Sequence, residues 1–267
     1  VALGVAIFSG GSKPPPGPKG SAPRARRLFG PSARVQTPTG AMVLVAGGEF
    51  GFGEAGPESP NPPRTVALGN YYVDETEVSN GAYQEFCQAT RRALPQPPQW
   101  DPKYVLTKPD HPAVNVTLAD AQAFAQWAGK RLPSEEEWEK AARGTDGRIY
   151  PWGTAPPAGQ ANLGGAEDGF EYSAPVESLP EGASPYGARQ MAGNVWEWTL
   201  SSYPVTPREI ADMKALLPFA GEQWGVIKGG SFAPQTGELW ARGYMRRGFP
   251  VDGKSPYIGF RCVKDAK

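Results

Sequence analysis

Helices and strands stay short wherever proline and glycine interrupt them, and this chain scatters 34 glycines and 30 prolines through 267 residues with no repeat period. Proline removes a backbone donor and glycine adds conformational freedom, so both break regular elements. Without a period they mean loops and turns rather than a collagen-like rod. The core must then be fixed by large side chains reaching between loops, and eight tryptophans can supply them. Hydrophobic residues make up 39%, lean but globular, and the length suits one large domain or two small ones. The expectation is a loop-rich α+β fold with short strands and a few helices.

Charge is balanced overall, with 27 basic and 27 acidic residues, but unevenly spread. Residues 1–40 hold Lys13, Lys19, Arg24, Arg26, Arg27 and Arg34 and no acid, which leaves 21 basic against 27 acidic residues, or −6, in the remainder. An acidic body argues against nucleic acid as a partner. The basic arm suits lipid headgroups or an acidic protein face, or serves as a soluble linker. Residues 1–8 are apolar but far short of the roughly 20 residues of a membrane span. They read either as the tail of a signal or anchor helix or as an ordinary terminus. The positive-inside rule would keep such a basic flank in the cytoplasm, though it weakens ahead of a long domain. The expected location is extracytoplasmic, on the periplasmic side, anchored to or associated with a membrane.

Two domains of organisation follow. Residues 1–40 form the apolar start and the extended Pro/Gly-rich arm, and residues 41–267 form the folded body. Met42-Val43-Leu44-Val45 reads as the first strand and residues 64–73 as the second. Helices are signalled at Ser79, at Thr117 with Asp120, and at Ser134 with Glu137, where the last pair makes a capping box. Residues 91–112 are proline-rich loop. Later strands are expected at residues 195–199, 224–228, 240–244 and 258–263. No internal repeat is visible.

Six blocks in order resemble the formylglycine-generating, or sulfatase-modifying, enzyme family. They are His111-Pro112-Ala113-Val114-Asn115-Val116, Trp127-Ala128-Gly129-Lys130-Arg131-Leu132-Pro133-Ser134-Glu135-Glu136-Glu137-Trp138-Glu139, Tyr150-Pro151-Trp152-Gly153, Ala192-Gly193-Asn194-Val195-Trp196-Glu197-Trp198, Lys228-Gly229-Gly230-Ser231-Phe232, and Gly259-Phe260-Arg261. The resemblance implies a C-type-lectin-like fold over residues 42–263. The blocks also make sense as scaffold, with Arg131 and Arg261 placed to form pairs with Glu137 or Glu197. By resemblance, calcium is the expected ion. Asn162 and Asp168 with the carbonyls of Leu163 and Phe170 would form one site. Glu197 with the carbonyls of Gly193 and Val195 would form a second, weakened because the family's usual Asp or Asn is Gln190 here.

The catalytic apparatus departs from the family. The enzyme holds copper on two cysteines shortly after the Gly-Gly-Ser block, because soft thiolates select Cu(I). Here that stretch runs Ala233-Pro234-Gln235-Thr236-Gly237-Glu238-Leu239-Trp240, without cysteine. The chain's two cysteines, Cys87 and Cys262, fall on the first helix and last strand, where the lectin-like fold implies a disulfide, or else two free thiols. One histidine, His111, cannot build the iron site of the ergothioneine-type relatives. No copper, no iron and no catalytic residue are therefore expected. What is left in that region is Glu238, Trp240, Arg242, Tyr244, Arg246 and Arg247, suited either to a protein or acidic ligand or to a solvated face.

The reading is a pseudoenzyme: a binding or structural module, possible as an accessory subunit of a membrane protein complex. Alternatives are a cysteine-independent oxidase resembling pyoverdine-maturation enzymes, the sensor domain of a membrane kinase, and a lectin-fold ligand-display protein varied over residues 230–258.

Overall fold

A computed structural model describes residues 33–57, 59–165, 168–208, 210, 211, 221, 223–233 and 237–266, all within the compact unit Pro31–Lys267. The unit Val1–Gly30, and with it the anchor reading of residues 1–8, lies outside the described residues. Strands β1 (Arg34–Thr37), β2 (Gly40–Val45), β3 (Gly48–Phe52), β4 (Arg64–Leu68) and β5 (Tyr71–Asp74) come first. Helices α1 (Asn80–Thr90), α2 (Tyr104–Thr107), α3 (Leu118–Trp127) and α4 (Glu135–Arg143) follow. The second half holds β6 (Trp196–Ser202), β7 (Trp224–Lys228), the one-turn helix α5 (Gly237–Trp240), β8 (Arg246–Pro250), β9 (Ile258–Gly259) and β10 (Val263–Asp265). One antiparallel sheet has the order β1-β2-β5-β10, and a second has the order β8-β7-β6-β9, with only β6 and β9 parallel. β3 and β4 form a separate hairpin. Among the described residues no helix is long and apolar enough to cross a membrane.

The helix starts are where the local sequence puts them. Ser79 caps α1 by accepting from the Ala82 N–H, and Thr117 with Asp120 and Ser134 with Glu137 form reciprocal capping boxes. Each such cap contributes about 1 kcal/mol. The inner stripes then meet two cores. Phe86 and Cys87 of α1 and Ala121 and Phe124 of α3 pack with Trp196, Trp198, Ile227 and Phe260. Trp138 and Ala141 of α4 pack with Val43, Val45, Tyr71 and Val73 of the first sheet.

Three differences from the sequence reading have physical causes. The fold begins before residue 41: β1 pairs with β2 from Arg34↔Val43 to Thr37↔Gly40, and Arg34 Nε meets Glu75 Oε2 at 2.6 Å. Four mostly polar residues at a sheet edge look like linker until their partner strand is known. The expected strand over residues 64–73 is two strands, broken at Gly69-Asn70, where Asn70 Oδ1 accepts from the Gly47 N–H at 2.6 Å. Trp240 closes α5 and residues 241–244 form turns, with hydrogen bonds such as Met245 N to Arg242 O at 2.9 Å; the strand follows at β8.

The disulfide implied by resemblance is also absent. Cys87 and Cys262 are free, buried thiols in the first apolar core. α1 turns the Cys87 sulfur toward its own C-terminal loop, where it donates to Ala93 O at 3.5 Å.

A polar cluster sits between the cores. Arg261 is wholly buried and pairs with both oxygens of Glu197 at 2.7 Å. Trp138 Nε1 donates to the same carboxylate at 2.7 Å. Lys130 Nζ meets Asp74 Oδ1 at 2.6 Å nearby. Glu77 is buried too, and its Oε1 accepts from Asn194 Nδ2 at 2.9 Å, while its Oε2 has no partner. Burial raises the Glu77 pKa to about 8, against the pull of Arg261, and the nearby Glu197 carboxylate pushes it further up.

Two predictions follow from this architecture. Deleting residues 1–32 leaves Tm unchanged, whereas deleting residues 1–40 removes β1 and lowers Tm by about 3–6 °C, the shift expected from about 1–2 kcal/mol in a domain of this size; thermal scans of the two truncations check this. The second concerns Glu77. Its folded pKa lies above the ordinary 4.5, so the folded state holds the extra proton. Stability from this group is complete below about pH 4.5 and lost as pH rises through about 8. Glu77→Gln keeps an acceptor for Asn194 and removes the titration. Its Tm should therefore stay level from pH 5 to pH 8.5 (both about) where the wild type declines, and parallel curves would contradict the assignment.

Candidate functional site

β7 is followed by Gly229-Gly230, both in the left-handed region with φ of 96° and 78°. A Cβ on Gly229 would meet the Trp138 ring at 3.0 Å, so only glycine lets this turn press onto α4. The turn delivers Ser231, Phe232 and Ala233, all buried, and Phe232 is fixed by its N–H donating to Asn194 O at 2.9 Å. Over Phe232 lie three further rings. Trp100 meets Phe232 edge-on at 5.3 Å and tilts against Tyr257 at 5.6 Å. Tyr257 meets Phe232 at 5.1 Å. Tyr172 stacks on Trp100 at 5.3 Å, within 4° of parallel, and is 37% exposed. The result is an aromatic face open on the Tyr172 side.

Beneath it runs a hydrogen-bonded chain with a fixed direction. Tyr104 Oη donates to Pro112 O at 2.9 Å, so it accepts from Ser173 Oγ at 2.9 Å. Ser173 then accepts from His111 Nδ1 at 3.0 Å. The imidazole thus carries its proton on Nδ1 and keeps the Nε2 lone pair. Burial, with Lys108 adding to it, holds the His111 pKa below its ordinary value. Ser173 is committed to Tyr104 and is not an activated nucleophile.

The six residues expected to form one surface fall into contacts of three kinds: Glu238, Arg242 and Tyr244 linked around Tyr150, Arg246 tied to α4, and Arg247 over Trp240. Glu238 accepts from Tyr150 Oη at 2.5 Å, beside the stacked Tyr150–Trp152 pair. Arg242 Nη1 donates to Tyr244 Oη at 3.2 Å, and Tyr244 is buried with the Arg143 guanidinium over its ring. Arg246 Nη1 meets Glu135 Oε2 at 3.0 Å, which ties it to α4. Trp240 packs edge-on against Trp196 at 5.6 Å, and the exposed Arg247 lies over it. Of the six, Glu238 and Arg247 are the exposed ones. The rings of Trp100, Tyr172 and Tyr257 escaped the sequence reading because they stand in loops with no period, and only their prolines marked those loops.

The two cation sites fare differently. Asn162 Oδ1 is buried with no hydrogen-bond partner. Asp168 accepts one backbone N–H on each oxygen, from Leu163 at 3.1 Å and Phe170 at 3.0 Å. Spare oxygen lone pairs remain on both side chains, so this loop fits a hard cation. The second set does not fit. The Glu197 carboxylate is filled by Arg261 and Trp138. Gly193, with φ 75°, is pressed against Asn162 O so closely that a Cβ would have no room. Val195 turns its side chain into the Tyr104–Phe232 cluster.

Residues 27–266 match the family described as sulfatase-modifying factor enzyme 1-like domain. The chain is 32% identical over 307 residues to a formylglycine-generating enzyme of Streptomyces coelicolor, covering 91% of this chain and 95% of that protein. It is 30% identical over 277 residues to the inactive C-alpha-formylglycine-generating enzyme 2 of Bos taurus, covering 84% of this chain and 88% of that one. The solved structure of PvdO from Pseudomonas aeruginosa shares the fold with a TM-score of 0.72 at 23% identity, covering 89% of this chain and 100% of that one. With its α+β, lectin-like architecture and a sequence match over nearly its whole length, this chain belongs to the sulfatase-modifying factor enzyme 1-like family.

Proposed function

We propose that this chain is a non-catalytic member of its family, a binding module that holds a partner protein on its aromatic face at the outer side of a membrane. The placement of sulfur carries the reading. Cys87 and Cys262 both lie in the first apolar core, and burial raises both thiol pKa values. A copper-binding pair needs two thiolates at one place. After Gly229-Gly230-Ser231 this chain instead offers Phe232, packed under rings, and a buried Ala233. The copper chemistry of the enzyme does not fit these residues. Family membership is compatible with either outcome, since relatives of similar identity include one named as a generating enzyme and one named as inactive.

Rigid aromatic side chains anchor protein partners at low entropic cost, which favours the Trp100–Tyr172–Tyr257 face as the contact. Residues 1–32, with five basic residues, six prolines and no acid, suit the membrane side of the reading, with the body as an accessory subunit.

The test is incubation of the full chain with Cu(I), oxygen and a cysteine-containing sulfatase peptide. Formylglycine, read by mass, should stay at the level of a protein-free control; turnover above that level overturns the proposal. Calcium belongs to the same reading, held by Asn162, Asp168 and the carbonyls of Leu163 and Phe170. An ion bound only by the folded state raises Tm. Chelation should lower Tm, and Asp168→Ala should abolish the difference. Equal melting with chelator and with excess calcium rules the ion out.

A further inference from the structure

The C-terminal end of α1 forms a groove that belongs to neither the aromatic face nor the cation loop. Gln84, Cys87, Gln88 and Arg91 share one side of the helix at the spacing i, i+3, i+4, i+7. With Arg92 and Leu94 they line a depression of about 440 Å³. That is near the lower end of the roughly 300–1,000 Å³ of ligand sites, room for two or three side chains rather than a large cofactor.

Three observations say what fits there. The first is charge: the lining carries two guanidinium groups and no carboxylate. Arg92 Nη1 reaches Asp120 only at 3.5 Å and lies over the Phe86 ring at 5.5 Å. Among the described residues no hydrogen bond or ion pair engages the Arg91 guanidinium. The second is conformation. Arg91 is the C-cap of α1 with φ 57° and ψ 31°, a left-handed position that glycine occupies freely and that strains any other residue. The chain spends that strain on an arginine. The third is apolar exposure beside the charge. Leu94 and Trp127 are each 38% exposed, and Trp127 rests on the same Phe86 ring as Arg92, at 5.6 Å. The negative end of the helix dipole opposes an anion here, but it amounts to roughly half a charge against two full positive ones.

We propose that this groove docks an acidic segment of a partner protein, with an Asp or Glu of that segment paired to Arg91 and an adjacent apolar side chain covering Leu94 and Trp127. A carboxylate matches the guanidinium fork in two parallel hydrogen bonds, and the exposed rings and methyl groups supply the desolvated flank that makes such a pair worthwhile. The binding groups are Arg91, Leu94 and Trp127, none of them part of the aromatic face, and Cys87 only lines the groove wall, so the proposal stands or falls independently of the catalytic question.

The experiment measures anisotropy of a fluorescein-labelled Asp-Glu-Leu-Glu-Asp peptide titrated with the full chain. Arg91→Gly separates folding from binding. It relieves the left-handed strain, so Tm should rise, while peptide affinity should fall about fivefold or more with the lost ion pair. Arg91→Glu should weaken binding about tenfold or more. Lys264→Glu, the same charge change at an exposed site on β10, should leave affinity within about twofold. Replacing the peptide's Leu by Ser should weaken binding to the wild type several-fold. Binding by Arg91→Gly equal to wild type overturns the proposal. So does equal weakening by Lys264→Glu and Arg91→Glu, which would mean diffuse charge attraction, or the absence of wild-type binding at millimolar peptide.

Discussion

Arg261 is wholly buried, and its guanidinium donates five hydrogen bonds, two to Glu197 and the others to the carbonyls of Asp74, Glu75 and Arg189. Those acceptors come from the end of β5, the loop before β6, and β6 itself. Trp138 brings α4 to the same carboxylate. In a chain this rich in loops, one planar cation thus satisfies backbone groups that no helix or sheet ladder reaches. Burial works against its charge, and the carboxylates of Glu197, Glu77 and Asp74 outweigh that cost, so the Arg261 pKa stands above its ordinary value. Removing one partner of such a pair costs about 3–5 kcal/mol because the other charge is left stranded. The two apolar cores keep their relation through this contact.

The same cluster positions the aromatic face. Asn194 sits in the left-handed region with φ 57°. Its side chain bridges Glu77 and the Ala174 N–H, and its backbone oxygen holds Phe232. Val195, the next residue, packs beneath Phe232, while Trp196 and Trp198 enter the opposite core and Glu197 takes Arg261. One short stretch therefore fixes the ion pair on one side and the rings on the other. None of these contacts involves a cysteine. The scaffold holds whether or not the loop after Ser231 carries metal ligands, which is the physical basis for enzymes and non-enzymes sharing it.

Much of the frame was legible because it is local. Ser79, Thr117 and Ser134 mark helix starts by bonds within one turn, and the β7 stretch reads as a strand from its own residues. The pairing of Arg131 with Glu137 also lies within a few positions, at 2.6 Å. The expected cation ligands were only partly legible: the sequence offers the oxygens of Asn162 and Asp168, but nothing in it says that Glu197 is already spent on an arginine 64 positions away.

The sequence by itself determined the family, the order of its elements and the absence of a cysteine pair after Gly229-Gly230-Ser231, because these depend on which residues are present and how they are spaced. Tertiary structure alone decided that β1 joins the sheet, that Cys87 and Cys262 are free thiols, and that Trp100, Tyr172 and Tyr257 gather over Phe232. Each of those outcomes is a contact between segments distant in the chain. A loop residue with no periodic neighbours carries no local signal of the partner that folding will bring to it.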